Sequence, residues 1–143
     1  MSAILFVDDN EEILTLGKLF LERSGTMTVD IIPSATTAIG KLSRRKYDAI
    51  VSDYHMPGMD GIELLHHVRD EFGDIPFILF TGDDSQEIFT EALESGVDYC
   101  MVKSFEPKHQ FITLGFMLRN VIERKRTRDK QRKLQEREHE NRL

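Results

Sequence analysis

The sequence predicts an α/β domain: a doubly wound parallel sheet of five strands with helices on both faces, ending in an extended C-terminal helix. Three observations carry this. Strand-like runs near residues 3–7, 28–32, 47–52, 76–80 and 98–102 alternate strictly with helix-like segments near 10–24, 34–44, 61–72, 84–95 and from 107 onward. Such alternation is the pattern of strand–helix–strand units, whose crossovers cover both faces of a sheet. Several strands, Ala3 to Val7 and Phe77 to Phe80 among them, are unbroken apolar runs, as strands buried on two sides require. Small and acidic residues also gather where strands end: Asp8 and Asp9, then Asp53, then Thr81-Gly82-Asp83-Asp84.

The first strand carries no charge until Asp8 and Asp9 stop it. The helix after it presents Ile13, Leu14, Leu16, Leu19, Phe20 and Leu21 on a broad apolar face and stops near Ser24-Gly25, with Gly25 a natural C-terminal cap. Val29, Ile31 and Ile32 form the second strand; Pro33 turns the chain and Ser34 caps a helix whose face is Ala35, Ala38, Ile39 and Leu42, mildly weakened by Gly40. The third strand pattern, Tyr47 to Val51, runs into Asp53 and then a Pro57-Gly58 turn. Asp60-Gly61 is an N-cap signal for the helix continued by Ile62, Leu64, Leu65 and Val68. Pro76 leads into the fourth strand, and the fourth helix has Ile88, Ala92 and Leu93 on its face and ends at Ser95-Gly96. The fifth strand ends at Lys103. In the last helix Phe111, Leu114, Phe116, Leu118, Val121 and Ile122 suffice to dock it on the sheet.

Beyond Ile122 only Leu134 and Leu143 are large and apolar, so the remainder has no face with which to bury itself. Residues 1–122 therefore read as one domain, and 123–143 as a charged helical tail or linker of the kind that connects to another module. The tail also lacks the apolar heptad positions a stable coiled coil needs on its own.

Composition narrows the function classes. With 40% apolar and 31% charged residues among 143, the chain has the makings of a packed core. No apolar run approaches the ~20 residues of a membrane span, and Met1 to Val7 is too short for a signal sequence and ends in acids. The single cysteine, Cys100, allows no internal disulfide and suits a reducing cytoplasm. Residues 1–122 hold 10 Lys and Arg against 20 Asp and Glu, a balance of −10, whereas 123–143 hold 9 against 5, a balance of +4. The acidic body argues against general affinity for nucleic acid, and the Glu residues interleaved in the tail point to a solvated helix.

The strand ends bring the chemistry together. In an open parallel sheet ligands bind at the C-terminal edge of the strands. Asp8, Asp9 and Asp53 at the ends of two strands would repel one another unless a cation relieved them, and hard oxygen ligands at that density suit Mg2+. With Thr81 and Lys103 at two further strand ends, the set suits phosphoryl transfer to a carboxylate. Asp53 is the nucleophile that forms a mixed anhydride; a divalent ion on Asp9, Asp53 and a loop carbonyl neutralises phosphoryl charge; Lys103 adds a second positive charge and the Thr81 hydroxyl a hydrogen bond. Any one of these residues alone would read as a solvated charge or a turn residue.

Taken together, Val7-Asp8-Asp9, Asp53-Tyr54-His55-Met56-Pro57-Gly58-Met59-Asp60-Gly61, Thr81-Gly82 and Lys103 resemble the receiver domains of two-component response regulators, over about residues 3 to 122. The chain resembles receivers of archaeal type, of the kind found as single domains or ahead of sensor and kinase modules. It implies a flavodoxin-like sheet of order 2-1-3-4-5. It makes Asp53 the phosphoacceptor, puts Mg2+ on Asp8, Asp9, Asp53 and the backbone carbonyl of His55, and makes Thr81 the switch hydroxyl and Lys103 the phosphoryl contact. The implied chain is a cytoplasmic switch rather than an enzyme, although it promotes its own aspartyl phosphorylation and dephosphorylation. A sensor histidine kinase or phosphotransfer protein is its donor, and a downstream protein, a covalently linked domain or a second copy is its partner. Direct DNA binding is not expected, since no helix-turn-helix-sized region follows Ile122.

Two positions depart from the family pattern. Ser104 stands where members usually carry proline after a cis bond, which in a non-proline residue costs about 2.5–4 kcal/mol. Cys100 stands three residues before Lys103, where the switch aromatic is usual; strand alternation puts neighbouring Tyr99 on the opposite face. These departures favour a second reading, a constitutive interaction or dimerisation module with an impaired switch. A haloacid-dehalogenase-like phosphatase is excluded because Asp53 is followed by Tyr54 and His55 rather than by an Asp-x-Asp arrangement. His55 lies where a side chain can influence water access to a phosphoaspartate. His66 and His67 diverge by about 100° on a helix and hold no metal jointly; His109 and His139 read as surface residues, and Met56 and Met59 as loop packing.

Overall fold

The computed structural model describes residues 1–142. Its elements are β1 (Ser2–Val7), α1 (Glu11–Glu22), β2 (Met27–Ile32), α2 (Ala35–Arg44), β3 (Ala49–Ser52), α3 (Gly61–Glu71), β4 (Phe77–Thr81), α4 (Gln86–Glu94), β5 (Tyr99–Val102) and α5 (Pro107–Arg142). All strand pairs are parallel and the order is β2-β1-β3-β4-β5. The order reverses direction between β1 and β3, so the loops after these two strands diverge to opposite faces and leave a crevice at the sheet's C-terminal edge.

Alternation along each strand divides the core in two. Leu5, Val7, Ile50, Phe77 and Leu79 pack with Ala38, Leu42, Leu64, Leu65 and Val68 of α2 and α3. Ile4, Phe6, Val51, Ile78 and Phe80 pack with Leu14 and Leu21 of α1 and with Phe111, Leu114 and Leu118 of α5. Every β4 residue is buried, the two-sided coverage that its continuous apolar run implies. Polar residues set the helix starts: the Asn10 side-chain Oδ1 accepts from the Glu12 and Ile13 N–H groups, Ser34 caps α2, Ser85 caps α4, and Asp60 with Glu63 closes a capping box on α3.

Three apolar side chains assigned to docking faces by spacing lie outside them. Leu19, Leu93 and Phe116 are exposed, because periodicity marks a stripe without saying how much of it the neighbouring elements cover. Tyr47 precedes β3 yet is buried, its hydroxyl donating to Asp30 at 2.5 Å. Beneath α1, a Cβ at Gly17 would overlap the Phe6 ring. We expect Gly17→Ala to destabilise the domain by about 1–3 kcal/mol through overpacking, measured as a shift in urea midpoint with unchanged slope.

Helix α5 runs without a break through residue 142 and is exposed from Lys130 onward. At its exit from the body, Lys125 pairs with Asp74 at 3.4 Å and with Asp129 at 2.8 Å, and Arg126 lies 3.9 Å from Asp48. No described helix is long and apolar enough to cross a membrane.

Candidate functional site

The end of β1 supplies Asp8 and Asp9, the end of β3 supplies Asp53, β4 ends in Thr81, and Lys103 follows β5. Asp8, Asp9 and Asp53 each place a carboxylate oxygen within 4.8 Å of the other two. Asp8 is fully buried and Asp53 nearly so, whereas Asp9 is exposed and keeps the cluster open to solvent. The Lys103 ammonium bridges the buried pair, 2.7 Å from Asp8 Oδ2 and 3.2 Å from Asp53 Oδ2. It also lies 5.7 Å from the centre of the Phe80 ring, an aromatic face that favours a cation.

Backbone amides fix both buried acids. Asp8 Oδ1 accepts the Asn10 N–H at 2.9 Å, and Asp53 Oδ1 accepts the Tyr54 N–H at 2.8 Å. Burial nonetheless pushes the Asp8 carboxyl above the usual carboxylate range, against the lowering pull of Lys103 and the Asn10 N–H. One ammonium thus does not fully offset two buried acids, and an oxygen-seeking divalent cation fits the remaining deficit. Lack of a side chain at Gly61 lets α3 begin against β3: a Cβ there would overlap the Asp53 carbonyl oxygen, and the Gly61 N–H donates to Tyr54 O at 2.9 Å.

Thr81 is buried at the end of the strand beside β3. Its hydroxyl oxygen accepts the Asp83 N–H at 3.1 Å, which leaves its own proton free to donate. The His55 ring turns away from the acids: it is exposed and meets Asp83 at 2.7 Å, and this contact foremost holds the Asp83 carboxyl below its ordinary value. The pair links the loop after β3 to the loop after β4. An open groove lined by Asp9, Tyr54, His55, Met56, Pro57 and Asp60 runs beside the cluster.

Tyr99 packs on the α1–α5 face of the sheet and Cys100 on the other, so neighbouring β5 residues point to opposite sides. The Lys103–Ser104 bond is trans, as are all peptide bonds among the described residues. His66 and His67 are both exposed.

Reading the sequence missed Asp83 as the partner of His55 and missed Gln110 altogether. Gln110 is a buried amide in the first turn of α5, and its Oε1 accepts the Ser104 N–H at 2.8 Å. A polar residue directly before Phe111 in an otherwise apolar docking stripe was the available signal.

Residues 4–113 match the family of response regulator receiver domains. The chain belongs to that family. Receiver domains are signalling switches of two-component systems rather than enzymes acting on a free substrate. The chain is 33% identical over 104 residues to chemotaxis protein CheY-3 of Vibrio cholerae, covering 71% of this chain and 80% of that protein. It is 33% identical over 118 residues to the transcriptional regulatory protein ResD of Bacillus subtilis, covering 82% of this chain and 48% of ResD. The receiver thus spans about half of ResD and most of CheY-3. Among solved structures it is similar to response regulator TrrA of Thermotoga maritima in complex with Mg2+ and beryllium fluoride, with TM-score 0.73 and 27% identity over 85% of this chain and 99% of that one.

Proposed function

We propose that this receiver is a phosphorylation switch in which Asp53 takes a phosphoryl group from the phosphohistidine of a sensor histidine kinase or phosphotransfer protein. The observation that carries this is the convergence of Asp8, Asp9 and Asp53 with Lys103 bridging two of them. Mutually repelling buried acids cost stability, and a module that only binds has no use for them. Asp8, Asp9, Asp53 and the His55 backbone carbonyl would hold Mg2+, which when bound supplies charge neutralisation for phosphoryl oxygens; the beryllium fluoride complex of the similar TrrA supports this assignment.

In this reading an Asp53 carboxylate oxygen attacks phosphorus, the P–N bond of the donor imidazole breaks, and an acyl phosphate forms on Asp53. The Tyr54 N–H orients Asp53, Lys103 follows the charge onto the phosphoryl oxygens, and Thr81 donates its free hydroxyl proton to one of them. Engaging Thr81 perturbs the loop that Asp83 and His55 hold, which is how the event reaches α4. Helix α4, β5, the loop after it and α5 expose Phe89, Leu93, Val102, Phe105, Ile112 and Phe116, apolar side chains suited to a protein partner; no DNA contact is assigned to the chain itself.

The test is incubation with Mg2+ and acetyl phosphate, followed by intact mass, with Asp53→Asn as control. We expect Mg2+-dependent addition of one phosphoryl group that disappears in the control. A chain that binds Mg2+ but is never modified supports the constitutive interaction module, which the placement of Cys100 on the α4 side of β5 favours. Tyr99→Ala should alter the phosphorylation-linked change in partner binding less than about twofold, because its ring packs on the far face of the sheet from α4; loss of that response would refute the expectation.

A further inference from the structure

Among the described residues the buried polar side chains are Asp8, Ser52, Asp53, Thr81 and Gln110. Four of them lie at the ends of β3, β4 and β1, in or beside the acidic cluster. Gln110 lies in another element, in the first turn of α5, between the exposed His109 and the core residue Phe111. It is 2% exposed, and an amide carbonyl buried to that degree is costly unless it accepts a hydrogen bond. Its partner is the backbone N–H of Ser104, at 2.8 Å, the residue that follows Lys103.

The two peptide groups flanking the Lys103 α-carbon are therefore both held. On the N-terminal side the Lys103 N–H donates to the carbonyl of Thr81 at 2.8 Å. On the C-terminal side β5 has ended and no strand partner is available, and the Gln110 side chain accepts in its place. The Ser104 side chain adds local support, its hydroxyl oxygen 3.3 Å from both the N–H and the carbonyl oxygen of Glu106. With both peptide planes held, the direction of the Lys103 Cα–Cβ bond is set, and the ammonium reaches Asp8 at 2.7 Å and Asp53 at 3.2 Å. Without the second hold the loop past residue 103, where Phe105 is fully exposed, has little packing to fix it. In this all-trans loop Ser104, which stands where family members usually carry proline, supplies the N–H that Gln110 accepts.

We infer that Gln110 is a positioning residue for Lys103: by accepting the Ser104 N–H it fixes the backbone after Lys103, and so the reach of the ammonium to a phosphoryl group on Asp53. This rests on the reading of Asp53 as phosphoacceptor. Gln110 touches neither the acids nor the transferred group, and its effect passes through the lysine alone.

The test compares Mg2+ affinity with beryllofluoride affinity at saturating Mg2+ in the full chain. It covers wild type, Gln110→Met (similar length, no acceptor) and Gln110→Glu (acceptor kept). Loss of one hydrogen bond sets the expected scale: Gln110→Met should bind beryllofluoride, and be modified by acetyl phosphate, about tenfold less well, with Mg2+ affinity within about twofold of wild type. Gln110→Glu should recover most of that loss. A merely structural role would lower both affinities together along with Tm, and that pattern, or unchanged beryllofluoride binding in Gln110→Met, overturns the inference. Should Gln110→Met fold poorly, Gln110→Leu, which also lacks an acceptor, takes its place. A wild type that takes no beryllofluoride overturns the phosphoacceptor reading and this inference with it, whereas a responsive wild type with an unaffected Gln110→Met overturns only the inference.

Discussion

Lys103→Met should lower the stability of the metal-free protein by about 3–5 kcal/mol, the cost of leaving a buried carboxylate without its counter-charge. Asp8 is fully buried and Asp53 nearly so, and Lys103 is the only cation paired with either among the described residues. Thermal unfolding without divalent ions is the measurement, and a fall in Tm of at least about 10 °C is expected. Saturating Mg2+ should recover much of that loss, since a divalent cation relieves the same repulsion by another route. Acetyl phosphate reactivity should stay low even with Mg2+, because in the proposed mechanism the ammonium also serves the transferred group. A variant as stable as wild type in EDTA would mean that the two buried acids are not both ionised in the resting protein.

Asp8→Asn should act in the opposite sense on stability. Burial raises the Asp8 carboxyl above the value it has in the unfolded chain, so the native state binds this proton more tightly than the unfolded state does. The stability contributed by a group with a raised value is present below its unfolded pKa and lost as pH rises through its folded pKa. Once the pH passes that folded value, ionised Asp8 is therefore a net cost. The neutral amide keeps the shape and removes that cost. We expect the metal-free variant to gain on the order of 1 kcal/mol at pH 7, about 4 °C in Tm, and to lose most of this advantage over wild type as pH falls below the carboxylate range. The Mg2+-induced rise in wild-type Tm should be largely absent from the variant. An Asp8→Asn protein less stable than wild type at pH 7 would show that the Lys103 bridge outweighs the burial of the acid.

Much of the fold was legible because its signals are local. Strand and helix positions follow from apolar periodicity, and Asn10, Ser34, Asp60 and Ser85 each begin a helix by satisfying N–H groups two or three residues away. The parallel sheet follows from alternation, because a helix between strands can return only to a parallel neighbour. What local signals could not give was the covered width of each helix face. Leu93 and Phe116 sit at apolar spacing on α4 and α5, yet β5 is an edge strand and offers no neighbour to bury them. The Met-Pro-Gly-Met-Asp-Gly loop after Asp53 and the strand-end acids marked the site for the same local reason: residue types that would disrupt a strand or repel each other stand where strands stop.

By itself, the sequence determined the element order, the two-sided burial of the central strands and the set of acids at one edge of the sheet, since each depends on the intrinsic chemistry of neighbouring residues. The tertiary structure decided which of those residues meet. Lys103 lies 95 positions from Asp8 and His55 lies 28 from Asp83; strand order, which no local interaction encodes, places each beside its partner. The hold of Gln110 on Ser104 spans only 6 residues, but it depends on the angle at which α5 leaves β5 and on the packing that turns an amide inward. Periodicity reports that a face is buried; the packed arrangement alone reports what a polar group on that face finds there to bond.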